Sequence, residues 1–145
     1  MKILIVEDDA LKMKDVQHFV EKVCNGVVID TATSYAHAVG LCYNIIYDFV
    51  ILDMNIPRYD SDDHDKSIIP NGGEMIVREL ASENIRIKFA FLSQYETIGD
   101  ESVESFDLRM KAYCPDTYCG FVFFEVNDDG WKEQLFTILK EHLYA

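Results

Sequence analysis

The chain has 145 residues, 49% of them hydrophobic, and its 26 acidic against 13 basic side chains give a formal net charge of −13 at pH 7. That length and apolar content fit one folded domain, 1–145, and argue against global disorder. The acidic charge argues against autonomous binding of nucleic acid, and against binding to an anionic membrane surface, because both need a basic face.

The sequence carries no feature of an exported or membrane-spanning protein. No apolar stretch is long enough to cross a bilayer, and the apolar start at Lys2–Val6 is too short for a secretory signal. None of the cysteines forms a Cys-x-x-Cys pair, which indicates buried reduced thiols. We therefore expect a soluble cytoplasmic protein.

Strand and helix patterns alternate along the chain. The first predicted helix, from Asp9 to Cys24, repeats apolar residues at helical spacing and is closed by Asn25-Gly26. Further helices are predicted after Ser34, after Gly72-Gly73, over Val103–Met110 and around Trp131. The predicted strands are Lys2–Val6, Val27–Asp30, Phe49–Leu52, Ile87–Leu92 and Gly120–Val126. Five such βα units predict an α/β fold, a doubly wound five-stranded parallel sheet with helices on both faces.

Residues 57–71 interrupt this alternation with a polar, irregular stretch that we interpret as an inserted loop. Loops of this length in compact domains are usually functional or mobile. Its polar side chains either bind a second cation or are solvated loop charges, and those in question are Asp60, Asp62, Asp63, His64 and Asp65. Because the loop follows a predicted site, a lid or a partner-recognition role is a further interpretation.

Carboxylates follow two of the predicted strands at the point where each strand ends. Glu7 and Asp8 come directly after Lys2–Val6, and Asp53 comes directly after Phe49–Leu52. Because ligands of open α/β sheets bind beyond the carboxyl ends of the strands, we expect these acids to converge. Convergent carboxylates are the ligands that a hard cation such as Mg²⁺ prefers.

These elements, in this order, resemble a response-regulator receiver domain of the CheY-like, flavodoxin-like fold. The resemblance is carried by the opening Lys-Ile-Leu-Ile-Val-Glu-Asp-Asp, the strand ending at Asp53, Gly72-Gly73 and Phe91-Leu92-Ser93. It implies that Asp53 is the phosphorylated aspartate and that Glu7, Asp8, Asp53 and the backbone carbonyl of Asn55 hold Mg²⁺. It also implies that the Ser93 hydroxyl bonds the phosphoryl group and that Phe121 changes rotamer on activation.

Simpler interpretations compete with these roles. Asp9 and Glu7 could cap the first helix, where anions are favoured. Asp53 could be an ordinary strand-end carboxylate, Ser93 only a helix cap, and Phe121 only a core residue.

One departure from the family pattern concerns the lysine that ends the fifth strand. Alignment of Gly120-Phe121 with the family's glycine-aromatic pair puts Phe124 at the lysine and Glu125 at the usual proline, and no register supplies a lysine. A phosphoryl group adds about −1.5 to −2 charge, so Mg²⁺ would carry nearly all of the neutralisation. Arg58 and Lys66 in the loop are the nearest candidates in sequence for a surrogate cation.

Two further departures follow Ser93. Gln94 stands where a small residue is usual, and Tyr95 stands at a position that influences how long the phosphoryl group survives. We expect restricted access to the site and altered dephosphorylation.

The resemblance implies a stand-alone, non-enzymatic receiver that accepts a phosphoryl group from a sensor histidine kinase or phosphotransfer protein. Its output would pass through contact with a downstream protein, and the sequence leaves open whether it forms a homodimer. One alternative is a pseudo-receiver, an interaction module that signals without phosphate. Another is a Mg²⁺-dependent phosphohydrolase, which the sequence disfavours because Asn55, rather than a second acid, stands two residues after Asp53.

Overall fold

The structure is a computed structural model of the chain that describes residues 1–60, 68–69, 71–94, 97–98 and 100–143. In chain order the strands are β1 (Lys2–Val6), β2 (Val28–Ala32), β3 (Phe49–Leu52), β4 (Ile56–Pro57), β5 (Ile68–Ile69), β6 (Phe89–Ser93), β7 (Thr97–Ile98), β8 (Glu101–Ser102) and β9 (Tyr118–Phe123). The helices are α1 (Ala10–Val23), α2 (Tyr35–Asn44), α3 (Gly72–Ser82), α4 (Val103–Tyr113) and α5 (Gly130–Leu143).

Five parallel strands form the central sheet in the order β2-β1-β3-β6-β9. This confirms the predicted doubly wound α/β sheet and places its order reversal between β1 and β3. At the end of that pair Val6 lies beside Leu52, so that Glu7 and Asp53 are the first residues beyond it. A crevice at such a reversal is where open α/β sheets bind ligands.

Apolar side chains alternate along the strands and fill one core on each face of the sheet. Leu4 and Val6 contribute to the core that also contains the buried residues of α2, α3 and α4. Ile3 and Ile5 contribute to the opposite core, with the buried residues of α1 and α5. Both faces are therefore covered, which explains why the central strand β3 is apolar at every position.

Local signals in the sequence fix several helix ends. The carboxylate of Asp9 accepts from the backbone N–H groups of Leu11 and Lys12, and the Ser34 hydroxyl accepts from that of His37. Both side chains are N-caps, which confirms one of the two interpretations of Asp9 and the helix predicted after Ser34. Gly26 adopts a φ of 71°, in keeping with the predicted end of α1 at Asn25-Gly26.

The two ends of the inserted segment form short strands where we predicted an irregular loop. Ile56–Pro57 pairs antiparallel with Ile68–Ile69, which forms a short two-stranded ribbon. Asp60 accepts from the Thr33 hydroxyl at 3.0 Å, so this acid contacts the loop before α2. Asp62, Asp63, His64, Asp65 and the surrogate candidate Lys66 lie outside the described residues, as does Tyr95.

The last strand begins and ends earlier than predicted, at Tyr118–Phe123 rather than at Gly120–Val126. The last residues in its pairing with β6 are Phe123 and Ser93. In the described part of the chain, no helix combines the length and the apolar character needed to cross a membrane.

A charge network joins α3 to α4 beside the site. The buried Glu74 carboxylate accepts hydrogen bonds from both terminal nitrogens of Arg109, at 2.8 and 2.9 Å. It also accepts one from the Nε of Arg78, at 2.8 Å. Arg109 also donates to Glu101, which lies just before α4. These bonds, with that from Arg109 the strongest influence, hold the pKa of Glu74 below its ordinary value.

We expect Glu74→Gln to lower the free energy of unfolding by about 1–2 kcal/mol at pH 7, because charge-assisted hydrogen bonds to α4 are lost. A carboxylate whose folded-state pKa is lowered stabilises the protein above its ordinary pKa and ceases to do so as the pH falls through the folded-state value. Urea denaturation at pH 7 and near pH 3 should therefore show the difference shrinking in acid. The exposed Glu141→Gln is the control, and a difference that persists in acid would contradict the assignment.

Candidate functional site

Three carboxylates converge beyond the ends of β1 and β3. Ligand oxygens of Glu7, Asp8 and Asp53 all lie within 4.8 Å of one another. Two backbone hydrogen bonds just beyond the strand ends fix the positions of Glu7 and Asp53. The Asp53 N–H donates to the Val6 carbonyl and the Glu7 N–H donates to the Ala32 carbonyl, each at 3.0 Å. The convergence that was expected from the strand ends is therefore present in the fold.

The phosphoacceptor candidate is buried and held in one orientation. Asp53 exposes 7% of its surface, and its Oδ1 accepts from the Met54 backbone N–H at 2.8 Å. Asp8, in contrast, is exposed at the mouth of the cluster. The cluster thus has a closed floor and an open side toward solvent.

Lys12 contributes the positive charge of the site, and the sequence analysis did not anticipate it. Its ammonium lies 2.5 Å from Glu7 Oε1 and 3.4 Å from Asp53 Oδ1, and it donates to the Leu92 carbonyl at 2.8 Å. Only 4% of Lys12 is exposed. The ammonium thus contacts groups beyond the ends of β1 and β3 and near the end of β6.

Lys12 is a cation that the search of the loop for a surrogate did not include. Lys66 lies outside the described residues, so the loop's contribution and the share of neutralisation carried by Mg²⁺ stay predictions. Arg58 is exposed, and its backbone carbonyl accepts from Ala36 at the start of α2. A signal for Lys12 was present in the sequence, because it stands four and eight residues before Val16 and Val20 on the buried stripe of α1. A charged residue in register with an apolar stripe indicates a buried charge that has a partner.

Crowded negative charge shapes the electrostatics of the cluster. Burial raises the pKa of Glu7 well above its ordinary value, with the Lys12 ammonium opposing the rise and the charge of Asp53 adding to it. Partial burial, followed by the charge of Asp53, also raises the pKa of Asp8. A cation that enters the cluster would stabilise these ionised carboxylates, which supplies a driving force for its binding.

The remaining predicted site residues surround this cluster in different ways. Ser93 is fully buried at the end of β6, the strand beside β3, and its carbonyl accepts from the Phe124 N–H at 2.8 Å. Phe121 is half-buried and packs its ring against those of Phe91 and Phe106. The Asn55 side chain accepts from the Asn71 N–H at 3.4 Å. The roles proposed for these three residues stay predictions.

Asp9 and Gln94 lie beside the predicted site residues in different environments. The Asp9 side chain is engaged as the cap of α1, and its backbone N–H donates to Glu7 Oε2 at 3.0 Å. Gln94, directly after Ser93, is exposed.

Close packing against Asp53 explains the glycine at the second position of α3. A Cβ at Gly73 would lie 2.3 Å from the backbone oxygen of Asp53, and the Gly73 N–H donates to the Met54 carbonyl at 3.0 Å. Only glycine allows α3 to begin this close to the loop after β3.

The residues present fit Mg²⁺. Mg²⁺ prefers oxygen ligands, retains several waters and is usually held by one or two carboxylates. Glu7, Asp8 and Asp53 supply such oxygens at one place, and the exposed Asp8 leaves a solvent side for bound water. The backbone carbonyl of Asn55 stays a predicted fourth contributor.

Comparison with known proteins gives the same fold. No family model matches the chain. The Detocs response regulatory protein DtcB of Enterobacter cloacae (strain JD6301) is 26% identical in sequence, over 97% of this chain and 99% of that protein.

Two solved structures illustrate the likeness in fold. The receiver domain of the sensor histidine kinase PA1611 from Pseudomonas aeruginosa PAO1, with a magnesium ion in its active-site cleft, matches with a TM-score of 0.67 at 17% identity, over 99% of this chain and 98% of that one. The response regulator TrrA from Thermotoga maritima, in complex with Mg²⁺ and BeF, matches with a TM-score of 0.63 at 24% identity, over 95% and 98%. The chain therefore has the CheY-like receiver fold, and the resemblance drawn from its sequence is confirmed.

We expect Gly73→Ala to lower the free energy of unfolding by about 1–3 kcal/mol, because its methyl group would collide with the Asp53 backbone. Gly40→Ala in α2 is the matched control, since a Cβ there meets nothing within 4 Å. That change should instead stabilise the protein by about 0.5–1 kcal/mol, as alanine does in a helix interior. Urea denaturation measures both changes, and similar effects of the two would contradict the close approach.

We expect Asp8→Asn to weaken Mg²⁺ binding about tenfold or more, because a ligand oxygen at the solvent side of the cluster loses its charge. The adjacent Asp9→Asn removes the same charge but keeps a good helix cap, so it should change the affinity by about twofold or less. Isothermal titration calorimetry measures both affinities. Equal losses in the two variants would show that bulk charge, rather than the cluster, attracts the ion.

Proposed function

We propose that this protein is a response-regulator receiver that accepts a phosphoryl group on Asp53 and signals through contact with another protein. The observation that supports the proposal best is the buried Asp53, held beside Glu7, Asp8 and Lys12 at the order reversal of the sheet. A site of this composition can carry out phosphoryl transfer by positioning and charge alone.

The proposed step transfers one phosphoryl group. A carboxylate oxygen of Asp53 attacks the phosphorus of a phosphohistidine, a new P–O bond forms and the P–N bond to the imidazole breaks. The leaving imidazole takes a proton from solvent. Mg²⁺, when bound, would neutralise the negative charge that gathers between the carboxylates and the phosphoryl oxygens.

Residues of the chain itself prepare this step. The backbone N–H of Met54 orients Asp53 by donating to its Oδ1. The buried floor excludes water from one side of the carboxylate. In this proposal the Ser93 hydroxyl bonds the transferred group, and Phe121 relays the change to the surface formed by α4, β9 and α5.

The donor and the partner are proposed by class. The donor is a sensor histidine kinase or a phosphotransfer protein, in line with the response-regulatory relative. The formal charge of −13 suits a downstream protein with a basic contact surface.

A pseudo-receiver is the second candidate, and one observation favours it. Lys12 already neutralises part of the charge on Glu7 and Asp53, so the cluster could be stable without phosphate or metal. This alternative predicts the same fold and the same partner contacts but no modification of Asp53.

The test is labelling of Asp53 by acetyl phosphate, followed by Phos-tag electrophoresis. We expect a shifted species with Mg²⁺, its loss with EDTA, and no shifted species for Asp53→Asn. The exposed Asp15→Asn, on α1, is the charge-matched control and should label like the wild type.

A wild-type protein that binds Mg²⁺ but never labels, with acetyl phosphate or with a phosphorylated histidine kinase, would contradict the receiver proposal and favour the pseudo-receiver. Steady turnover of a phosphomonoester would instead favour the phosphohydrolase.

A further inference from the structure

We propose that Lys12, on the first helix, is the residue that holds the phosphoryl group on Asp53 from the protein side. This inference rests on the proposed function and names the cation of that same site. It assigns to a helix residue a task for which the positions directly after the last strand offer only Phe124 and Glu125.

The ammonium of Lys12 lies where a phosphoryl group on Asp53 would need a cation. It is 3.4 Å from Asp53 Oδ1, outside ordinary hydrogen-bond distance but within that of an ion pair. Its shorter contact, 2.5 Å, is with Glu7. A small rotation at the end of the flexible lysine side chain would exchange a carboxylate oxygen for a phosphoryl oxygen.

Two further contacts keep the ammonium at this end of the sheet. It donates to the Leu92 carbonyl at 2.8 Å, and it lies 5.3 Å from the centre of the Phe124 ring. A cation over an aromatic face is attracted by the ring. Phe124 therefore supplies a surface for the cation at the position where the strand lacks one of its own.

Stability alone is a weak reason to bury an ion pair rather than an apolar pair at this place, although Lys12 offsets the charge of Glu7 and Asp53 where those acids are present. An ion pair taken out of water loses about as much in desolvation as it gains in attraction, and an apolar pair of similar size is often at least as stable. Val16 and Val20 occupy the next two positions on the same stripe of α1. A third apolar residue would continue that stripe, whereas a lysine there places a fixed positive charge beside Asp53.

The charges of the cluster also require a second cation once phosphate arrives. Glu7, Asp8 and Asp53 carry up to three negative charges, and a phosphoryl group brings about −1.5 to −2 more. A single Mg²⁺ leaves a negative excess, which an ammonium in the same place reduces. In the transfer step the Lys12 side chain donates a hydrogen bond to a phosphoryl oxygen, while the P–O bond to Asp53 forms as described above.

The decisive comparison uses Lys12→Met, which keeps the length of the side chain and removes the charge. The control is Lys14→Met, an exposed lysine on the same helix. Acetyl phosphate labelling should slow about 10- to 100-fold in Lys12→Met, as expected for a lost charge-assisted hydrogen bond, and stay unchanged in the control.

Magnesium affinity provides the readout that a merely structural lysine would not produce. Because the ammonium repels Mg²⁺ at close range, Lys12→Met should bind the ion about fivefold more tightly or better, although it labels more slowly. Lys12→Met protein that labels at the wild-type rate would overturn the inference.

If Lys12→Met loses its fold or its magnesium site, a measurement on the wild-type chain tests the proposed role of Lys12. Lysine side-chain ¹⁵N NMR follows the buried Lys12 side chain while Mg²⁺ and beryllofluoride are added. We expect its resonance to shift on addition of beryllofluoride beyond the shift caused by Mg²⁺ alone. A resonance that does not respond overturns the inference.

The two proposals fail in different ways. Wild-type protein that neither labels nor takes up beryllofluoride contradicts the proposed function, and the inference with it. Wild-type protein that labels, with an ammonium that does not respond, contradicts only the role of Lys12.

Discussion

The structure depends on the neutralisation of carboxylates that the parallel sheet brings together. Glu7 and Asp53 each follow a buried strand, and the order of the strands places their side chains at one point. Like charges at this distance in a partly buried site oppose folding unless a cation compensates them. Lys12 provides that compensation within the chain, from the first turns of the helix that follows β1.

Much of the surrounding architecture serves to keep this arrangement closed and oriented. Gly73 lets α3 begin against the Asp53 backbone, and Asp9 fixes the start of α1 and thereby the position of Lys12. The Glu74–Arg109 network then ties α3 to α4 on the face that the proposed function uses for output. Helix α3 thus connects the site with that face. Gly73 lies against the Asp53 backbone, and Glu74 bonds to Arg109 on α4.

The sequence predicted those parts of the molecule that depend on local pattern. Apolar strands ending in acids identified Glu7, Asp8 and Asp53, and polar residues ahead of apolar periodicity identified the caps Asp9 and Ser34. These predictions succeed because strand ends and helix starts are governed by neighbours in sequence.

What the sequence did not reveal depends on contacts between distant segments. Lys12 contacts the Leu92 carbonyl, 80 residues away, and a search for a surrogate cation near Asp53 in sequence could not find it. The bounds of β9 likewise depend on its pairing with β6, a strand from a distant part of the chain. The buried stripe through Lys12, Val16 and Val20 was visible in the sequence, but its meaning required the sheet that it packs against.

The central claim is that the acids at the strand ends and Lys12 form one site for a phosphoryl group. A crystal structure of the protein with Mg²⁺ and beryllofluoride bound tests it most directly. The account predicts beryllium attached to Asp53, with the Lys12 ammonium within about 3 Å of a fluorine atom. An adduct in which the ammonium still contacts Glu7 alone, with Mg²⁺ and solvent surrounding every fluorine, would contradict it.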